Sequence, residues 1–274
     1  MLAFWHNFYP QPILFSLGPV HIYWYGLFMV IAIAAGLLVA SRLARSYALK
    51  ADLVLDLAFW LIIFGLIGAR LYDVALNIPY YLAKPWDILK IWQGGLAIHG
   101  AILAGLIVVY VLAKKNKVSF WRLGALMVPG LALGQAIGRW GNYFNQELFG
   151  RPSNLPWAIP IATLNRPEAY ASYSYFQPTF LYESLLCLII FLILILLNRQ
   201  AVKKNKLTER FFIWSSALYV ILYSIVRFLL EFIKIDPTPE LIGLRLPQVV
   251  SLLLILISIF VLIFNPHARG QEKT

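Results

Sequence analysis

The chain has 274 residues, of which 61% are hydrophobic and only 13% are charged. Soluble globular domains usually carry about 25% charged residues, and this much apolar side chain cannot be enclosed in a soluble core of this size. The composition therefore excludes a soluble domain and makes lipid the solvent for much of the surface. The single cysteine, Cys187, excludes a disulfide framework and is best explained as a small buried hydrophobic residue.

The N-terminal segment, MLAFWHNFYPQPILFSLGPV, is rich in aromatic residues and contains no lysine or arginine. It lacks the basic start and the small-residue cleavage site of a signal peptide. Tryptophan, phenylalanine and tyrosine are typical of the headgroup zone of a membrane. We therefore predict that residues 1–21 form an interfacial arm.

Seven apolar runs follow, each long enough to cross a bilayer, which needs about 20 residues. They predict an all-α polytopic membrane protein with seven transmembrane helices. The predicted spans are Ile22–Ser41, Leu53–Leu76, Gly95–Ala113, Leu123–Trp140, Phe180–Leu197, Phe211–Ile233 and Leu246–Phe264.

The longest connector lies between the fourth and fifth spans and contains five prolines. Its mixed polar composition predicts a small extramembrane cap at residues 143–179. The chain then divides, as one membrane domain, into five segments. These are the arm (1–21), helices one to four with the start of a polar motif (22–142), the cap (143–179), helices five to seven (180–264) and a tail (265–274).

Lysine and arginine are distributed unequally between the two sets of connectors. One side carries fourteen of them, the other side seven, and the N-terminal arm none. Because cytoplasmic loops are enriched in these residues, we predict an outer N-terminus, a cytoplasmic C-terminus and a cap on the outer face. The basic run RQAVKKNK (199–206) is then a topology signal and a contact for anionic lipid, a better explanation of the +11 net charge than nucleic-acid binding.

Polar side chains inside the spans are costly and usually mark function. With the exception of Asp56, those near span ends fall in the predicted outer half of the membrane: Tyr25, Arg70, Asp73, His99, Gln135, Arg139, Glu183, Arg227 and Gln248. At 1.5 Å per residue, His99 and Arg227 are expected about 6 and 9 Å inside their spans. Their convergence predicts one site, although Tyr25, Asp73 and Gln248 are equally compatible with ordinary interfacial residues.

The residue types in this set suit chemistry on an anionic lipid. Two arginines on different helices, Arg139 and Arg227, can fork onto phosphate oxygens, and a histidine is a plausible base at neutral pH. Tyr223, Arg227 and Glu231 share one helix face through i,i+4 steps. An internal salt bridge between Arg227 and Glu231 is the alternative explanation for that pair.

The order of the motifs along the chain resembles the prolipoprotein diacylglyceryl transferase family of bacteria almost from end to end. The blocks that carry the resemblance are FSLGPVHIYWYGL (15–27), GARLYDV (68–74), GGLAIHG (94–100), GRWGNYFNQELFGRPS (138–153), QPTFLYES (177–184) and RFLLEF (227–232). The block at 138–153 is similar to the family signature and is the most specific of them.

The resemblance implies transfer of the diacylglyceryl group from phosphatidylglycerol to the lipobox cysteine in the signal peptide of a preprolipoprotein. It implies a multi-pass enzyme of the bacterial cytoplasmic (inner) membrane whose active site faces the outer leaflet, with no cofactor, no metal and no nucleic-acid partner. The implied catalytic residues are His99, Arg139, Arg227 and Tyr25. The implied phosphatidylglycerol-binding residues are Arg139, Asn142, Glu147, Gly150, Tyr223, Arg227 and Glu231.

In this interpretation Glu147 holds Arg139 and Glu231 holds Arg227, while His99 accepts the thiol proton directly or through a neighbour. Two other classes compete with it. A lipid transporter would use similar arginines and glycines but would be expected to carry polar residues in both leaflets and related halves. A non-catalytic lipid-binding scaffold would not need a base beside two phosphate binders.

Overall fold

The computed structural model describes residues 6–265 and residue 267. The α-helices in that part of the chain are, in order, α1 (Trp24–Ser46), α2 (Ala51–Leu76), α3 (Ile78–Ala83), α4 (Ile98–Lys115), α5 (Phe120–Phe144), α6 (Thr179–Lys203), α7 (Glu209–Leu230) and α8 (Leu246–Phe264). All except the short α3 are long and apolar enough to cross a membrane, so seven candidate spans are found among the described residues. The predicted seven-helix membrane fold is confirmed.

Two predicted helix ends are wrong in ways that matter for the site. The third span was expected to begin at Gly95, but α4 begins at Ile98 because Gly94 and Gly95 have φ values of 91° and 69°, which a right-handed helix cannot contain. His99 therefore lies in the first turn of its helix. The sixth span was expected to reach Ile233, but α7 ends at Leu230, so Arg227 lies three residues from the helix end.

Among residues 6–265, the non-helical segments contain three two-stranded antiparallel sheets. Strands β1 (Ile13–Leu17) and β2 (Val20–Tyr23) pair in the predicted N-terminal arm, with Leu17 opposite Val20. Strands β3 (Ile159–Pro160) and β4 (Tyr175–Phe176) pair in the predicted cap, and β5 (Glu240–Leu241) pairs with β6 (Leu244–Arg245) just before α8. The first five residues of the arm and most of the predicted tail at 265–274 lie outside the described residues.

The predicted cap segment has a hydrophobic core of its own. Six buried side chains form it: Tyr143, Phe149, Ile159, Ile161, Phe176 and Phe180. Because Tyr143 is in the last turn of α5 and Phe180 is in the first turn of α6, this core ties the connector to the two helices that it joins. The connector is therefore an ordered structure that fixes the ends of α5 and α6.

The chain is arranged in two compact units, Met1–Val39 with Met127–Thr274, and Ala40–Leu126. In the first unit, α5, α6 and α7 share a buried core of Val128, Ala132, Ile190, Leu194, Val226 and Leu230. In the second unit α2 packs against α4 through Gly68 and Gly100, since a Cβ on Gly68 would lie 2.6 Å from the carbonyl oxygen of Gly100. Small residues let membrane helices pack this closely without a hydrophobic driving force between them.

The first unit contains a similar close approach between α1 and α5. A Cβ on Gly130 would lie 2.9 Å from the carbonyl oxygen of Gly36 and 3.2 Å from its Cα, which are backbone atoms that cannot rotate away. We expect Gly130→Ala to force the helices apart and to cost about 1–3 kcal/mol of unfolding free energy, as overpacking usually does. The midpoint of thermal unfolding in detergent measures this loss.

Gly138→Ala is the matched control, because it lies on the same helix and a Cβ there meets nothing within 4 Å. We expect its midpoint to be equal to or slightly above that of the wild type, since alanine is the better helix former. Equal midpoints for Gly130→Ala and Gly138→Ala would contradict the close approach of α1 and α5.

Candidate active site

Glu183, in the second turn of α6, is the centre of the polar cluster in the first unit. Its side chain is 1% exposed, and its Oε1 lies 2.6 Å from Nη2 of Arg139 on α5. Its Oε2 lies 3.5 Å from Nη1 of Arg227 on α7 and 3.6 Å from Nζ of Lys234. The Tyr223 hydroxyl donates to Oε1 at 3.2 Å. One buried carboxylate is therefore shared by three cations from different parts of the chain.

Glu231 is a second buried carboxylate, and it lies immediately after α7. It is 3.4 Å from Arg227, which is the i,i+4 pair predicted from the sequence, and 3.4 Å from Arg245 at the end of β6. Arg245 also donates to the carbonyls of Glu231 and Lys234 and pairs with Asp236 at 3.3 Å. The segment that follows α7 is thus held by one arginine from the hairpin before α8.

We call this set of side chains the Glu183 cluster. Its cations are Arg139, Arg227, Lys234 and Arg245, and its carboxylates are Glu183, Glu231 and Asp236. The cations exceed the carboxylates by one charge. The two glutamates are 1% exposed, whereas the side chains of Arg139 and Arg227 keep 20% and 22% of their surface exposed. Part of the surface of these two arginine side chains is therefore accessible, and a guanidinium group can fork onto planar or tetrahedral oxyanions.

Lys234 is the lysine of the Glu183 cluster, and it lies outside the spanning helices. Lys234 is almost fully buried, and that burial lowers its pKa below the ordinary lysine value, while the nearby Glu183 carboxylate opposes the shift. A buried ammonium is costly unless it is paired. The buried ammonium of Lys234 therefore needs the Glu183 carboxylate as its partner, as the two arginines do.

The polar motif at the end of α5 is built around Asn142. The helix persists to Phe144, so Arg139 and Asn142 are one turn apart as predicted, and Arg139 Nη1 donates to Asn142 Oδ1 at 3.1 Å. Asn142 Nδ2 in turn donates to Glu147 Oε1 at 2.6 Å. Glu147 was expected to contact Arg139 directly, but Asn142 lies between them. The Arg139 guanidinium pairs instead with the closer carboxylate of Glu183.

Gly150 lies where the chain after this motif passes beside the segment that follows α7. It forms an isolated bridge with Lys234, and a Cβ on Gly150 would lie 3.1 Å from the carbonyl oxygen of Ile233 and 3.0 Å from the Cβ of Gln177. No larger residue therefore fits at this position without movement of backbone atoms.

Tyr25 is at the start of α1, and its ring covers Gly141 of the motif. A Cβ on Gly141 would lie 2.6 Å from Cδ2 of Tyr25. The residue is 38% exposed.

His99 belongs to the second unit, whereas the other eight predicted site residues belong to the first. It is the second residue of α4, its side chain is exposed, and its ring centroid lies 5.8 Å from that of Tyr72 on α2. The structure thus brings together six of the predicted site residues: Arg139, Asn142, Glu147, Tyr223, Arg227 and Glu231. For His99, it shows the contact with Tyr72 inside the second unit.

Four members of the Glu183 cluster were given no individual site role by sequence reasoning: Glu183, Lys234, Asp236 and Arg245. Glu183 was noticed only as a polar group at the start of a span, and Lys234 and Arg245 were counted as connector charges. The available signal was Glu183 itself, a carboxylate at the head of an otherwise apolar helix, which needs a cation from elsewhere in the chain.

An apolar cavity of about 300 Å³ lies beside the Glu183 cluster. Its lining residues come from α1, α5 and α6: Phe28, Leu133, Ala136, Ile137, Trp140, Ser184 and Leu188. Two of the lining residues, Trp140 and Ser184, directly follow Arg139 and Glu183 in the chain.

Fold and site together define a multi-pass membrane protein in which two partly exposed arginines are held by buried carboxylates. The sequence model of the family described as prolipoprotein diacylglyceryl transferase matches residues 12–264. The chain therefore belongs to the prolipoprotein diacylglyceryl transferase family, a family of transferases and not of lipid transporters or scaffolds.

Curated relatives agree with this assignment, and each is called phosphatidylglycerol–prolipoprotein diacylglyceryl transferase. The chain is 42% identical to the protein of Synechococcus elongatus over 255 residues, which cover 93% of this chain and 87% of that one. It is 43% identical to the protein of Trichormus variabilis, with 89% and 85% covered. It is 41% identical to the protein of a Synechocystis strain, with 90% and 87% covered.

The shared carboxylate generates a stability prediction. Glu183→Gln keeps the shape and an acceptor for Tyr223 but leaves three cations without their common partner. Removing one member of a buried ion pair costs about 3–5 kcal/mol, so the midpoint of thermal unfolding in detergent is expected to fall by several degrees. Glu147→Gln, an exposed carboxylate bonded to amide groups, is the control and should stay near the wild-type midpoint. Equal midpoints for the two variants would rule out Glu183 as the centre of the cluster.

Proposed function

We propose that this chain transfers the diacylglyceryl group of phosphatidylglycerol to the lipobox cysteine of preprolipoproteins, the first step of bacterial lipoprotein maturation. The observation that carries the proposal is the pair Arg139 and Arg227, held on opposite oxygens of the buried Glu183 and still partly exposed. The relatives named above are called enzymes of phosphatidylglycerol and prolipoprotein, and the chain shares their family.

The proposed reaction is a displacement at the glyceryl carbon that carries the phosphate ester. A carbon–sulfur bond forms from the cysteine thiolate, the carbon–oxygen bond to phosphate breaks, and glycerol phosphate leaves with the electron pair. The thiol proton must be removed because only the thiolate is a good nucleophile. Negative charge therefore grows on the phosphate oxygens as the bond breaks.

Arg139 and Arg227 are the residues that meet this growing charge. Their guanidinium groups are fixed before the substrate arrives, since each is tied to Glu183 and Arg227 is also tied to Glu231. Preorganised donors lower the barrier when they bind the transition state more strongly than the ground state. The Arg227 contacts of 3.4–3.5 Å are longer than that of Arg139, which leaves Arg227 more donor capacity for a phosphate.

The other site residues are proposed to bind the headgroup or to hold those that do. Asn142 carries the relay from Arg139 to Glu147, and Tyr223 lies 3.5 Å from Arg139 and bonds to Glu183. Tyr25 supplies a hydroxyl for the headgroup. Gly150 allows the chain to pass closely beside Lys234. The cavity lined by Trp140 suits an acyl chain of the lipid, because its lining is almost entirely apolar.

His99 is proposed as the base that takes the thiol proton, directly or through a neighbouring group. It lies in the first turn of α4 and its side chain is exposed. Histidine is the side chain that most often serves as a general base in enzymes.

We further propose that the site faces the outer leaflet of the bacterial cytoplasmic membrane, with the N-terminus outside and the C-terminus inside. The excess of lysine and arginine on one set of connectors supports this orientation. On that basis the membrane lipid and the signal peptide of the preprolipoprotein both reach the site from the bilayer.

The activity is tested with purified protein, labelled phosphatidylglycerol and a peptide containing a lipobox cysteine. We expect a thioether-linked diacylglyceryl peptide and release of glycerol phosphate. Arg139→Ala and Arg227→Ala should each lower the turnover rate by about 10²–10³-fold, the usual loss when one preorganised oxyanion donor is removed. Arg199→Ala, an exposed arginine at the other end of α6, is the control and should turn over like the wild type.

Absence of the thioether product with the wild-type protein, under conditions where one of the relatives named above is active, would refute the proposed reaction. Wild-type rates in both Arg139→Ala and Arg227→Ala would refute the role of the arginine pair while leaving the reaction itself in place.

The orientation is tested separately by cysteine labelling on bacterial spheroplasts. Leu164→Cys places a thiol in the cap segment, where the native side chain is 98% exposed. Lys204→Cys places one at the end of α6, and the fully buried Cys187 of the parent chain should not react. We expect a membrane-impermeant maleimide to label Leu164→Cys in intact spheroplasts and Lys204→Cys only after lysis. The reverse order of labelling would invert the proposed topology.

A further inference from the structure

Arg70, on α2, donates hydrogen bonds to five backbone carbonyls of the second unit. The proposed reaction gives this residue no role. The residue is 7% exposed. Its guanidinium donates to backbone carbonyls of one segment, residues 87–95. Nε donates to Ile88 at 2.9 Å, Nη1 to Gly94 and Gly95 at 2.8 and 2.9 Å, and Nη2 to Asp87 and, at 3.5 Å, to Lys90.

The charge of Arg70 is balanced on its own side by α2 and α3. Asp73 lies 3.8 Å away and accepts a hydrogen bond of 2.6 Å from the Tyr81 hydroxyl. The guanidinium carbon lies 5.2 Å from the centre of the Tyr81 ring. Arg70 is therefore held from one side by these two residues, and its five N–H donors are free to point at the loop.

The loop is shaped to accept those donors. Gly94 and Gly95 have φ values of 91° and 69°, which turn their carbonyls toward α2. A Cβ on Gly95 would collide with Nη1 of Arg70 and would lie 2.7 Å from Oδ2 of Asp73. A side chain at residue 95 therefore does not fit while Arg70 is in place.

Gly68 and Ala69, the two residues before Arg70, contact the chain just after this loop, at Ala97 and Gly100. The Ala97 amide donates to the Ala69 carbonyl at 3.0 Å. Gly68 and Gly100 are in backbone contact, since a Cβ on Gly68 would lie 2.6 Å from the carbonyl oxygen of Gly100. Three consecutive residues of α2 thus fix residues 94–100 at three successive points.

His99 lies inside this fixed stretch, between Ala97 and Gly100. Its exposed side chain has a ring contact with Tyr72 on the same helix, α2. The position of its imidazole therefore follows from the backbone positions of residues 94–100. A side chain that must meet a proton within about 3 Å depends strongly on such placement.

We propose that Arg70 is a positioning residue for His99: by binding the carbonyls of residues 87–95 it sets where α4 begins and hence where the imidazole lies. This rests on the proposed function, in which His99 takes the thiol proton. Arg70 itself takes no part in proton transfer or in binding of the phosphate.

The clamp is tested first without any activity measurement. Arg70→Lys keeps the positive charge but replaces a five-donor fork by a single ammonium point, which cannot reach carbonyls spread from Asp87 to Gly95. We expect amide hydrogen exchange in peptides covering residues 87–100 to become faster in this variant. Arg42→Lys, an exposed arginine of α1, is the matched control and should exchange like the wild type. Unchanged exchange in Arg70→Lys would overturn the clamp.

The link to His99 is tested by a double-mutant cycle in the diacylglyceryl transfer assay. We expect Arg70→Lys to lower kcat by roughly 10- to 100-fold with little change in KM, the order of loss expected for misplacing a reacting group by about 1 Å. In a His99→Ala background Arg70→Lys should cause no further loss. The loss should also shrink above pH of about 8.5, where the substrate thiol ionises without a base. Independent, multiplicative losses would overturn the positioning role.

Two further readouts keep the outcomes distinct. Gly95→Ala disturbs the same contact from the loop side, so it should reproduce the kcat loss if Arg70→Lys proves too unstable to purify. Full activity of His99→Ala would end the role proposed for Arg70. The wild-type assay separately shows whether diacylglyceryl transfer occurs at all, so failure of this inference is not confused with failure of the proposed reaction.

Discussion

The structure of the first unit depends on the carboxylate of Glu183, which is buried where an unpaired charge is strongly destabilising. Glu183 is 1% exposed at the head of an apolar helix, and taking an ion of this kind out of water costs several kcal/mol that only close cations recover. Arg139, Arg227 and Lys234 supply those cations from α5, α7 and the segment after α7. The ends of three helices are therefore held at one point by electrostatic necessity as well as by packing.

The same arrangement explains why the arginines are available for a ligand. Glu183 and Glu231 are each shared between cations, so neither Arg139 nor Arg227 has a carboxylate of its own. Arg139 and Arg227 expose part of their surface while the acids that hold them are buried. An anion that binds there meets preorganised donors, which is the condition for stabilising charge that develops during a reaction.

Close backbone contacts complete the construction in both units. Gly150 passes against Ile233, Gly36 against Gly130, and Gly68 against Gly100. In each case a Cβ would push on backbone atoms, which cannot move aside as a side chain can. These glycines are therefore points where two chain segments pack in backbone contact.

Hydrophobic runs alone were sufficient to predict seven spanning helices, because the length of a span is imposed by the bilayer. Local pairs were also accessible from sequence: Arg139 with Asn142 and Arg227 with Glu231 are three and four residues apart, and helical periodicity brings them together. The ends of α4 and α7 were not predicted correctly. Those ends depend on left-handed glycines and on contacts with distant segments, and hydropathy carries neither kind of information.

Tertiary structure alone decided which groups share a charge. Arg227 and Glu183 are 44 residues apart, and no periodicity links them. The replacement of the expected Glu147 contact by Glu183, and the hold of Arg70 on residues 87–95, arise from how separate segments pack. The sequence determined that this chain is a membrane protein with arginines near the ends of its spans. The fold decided which buried acids hold those arginines, because desolvated charges select their partners by distance in space.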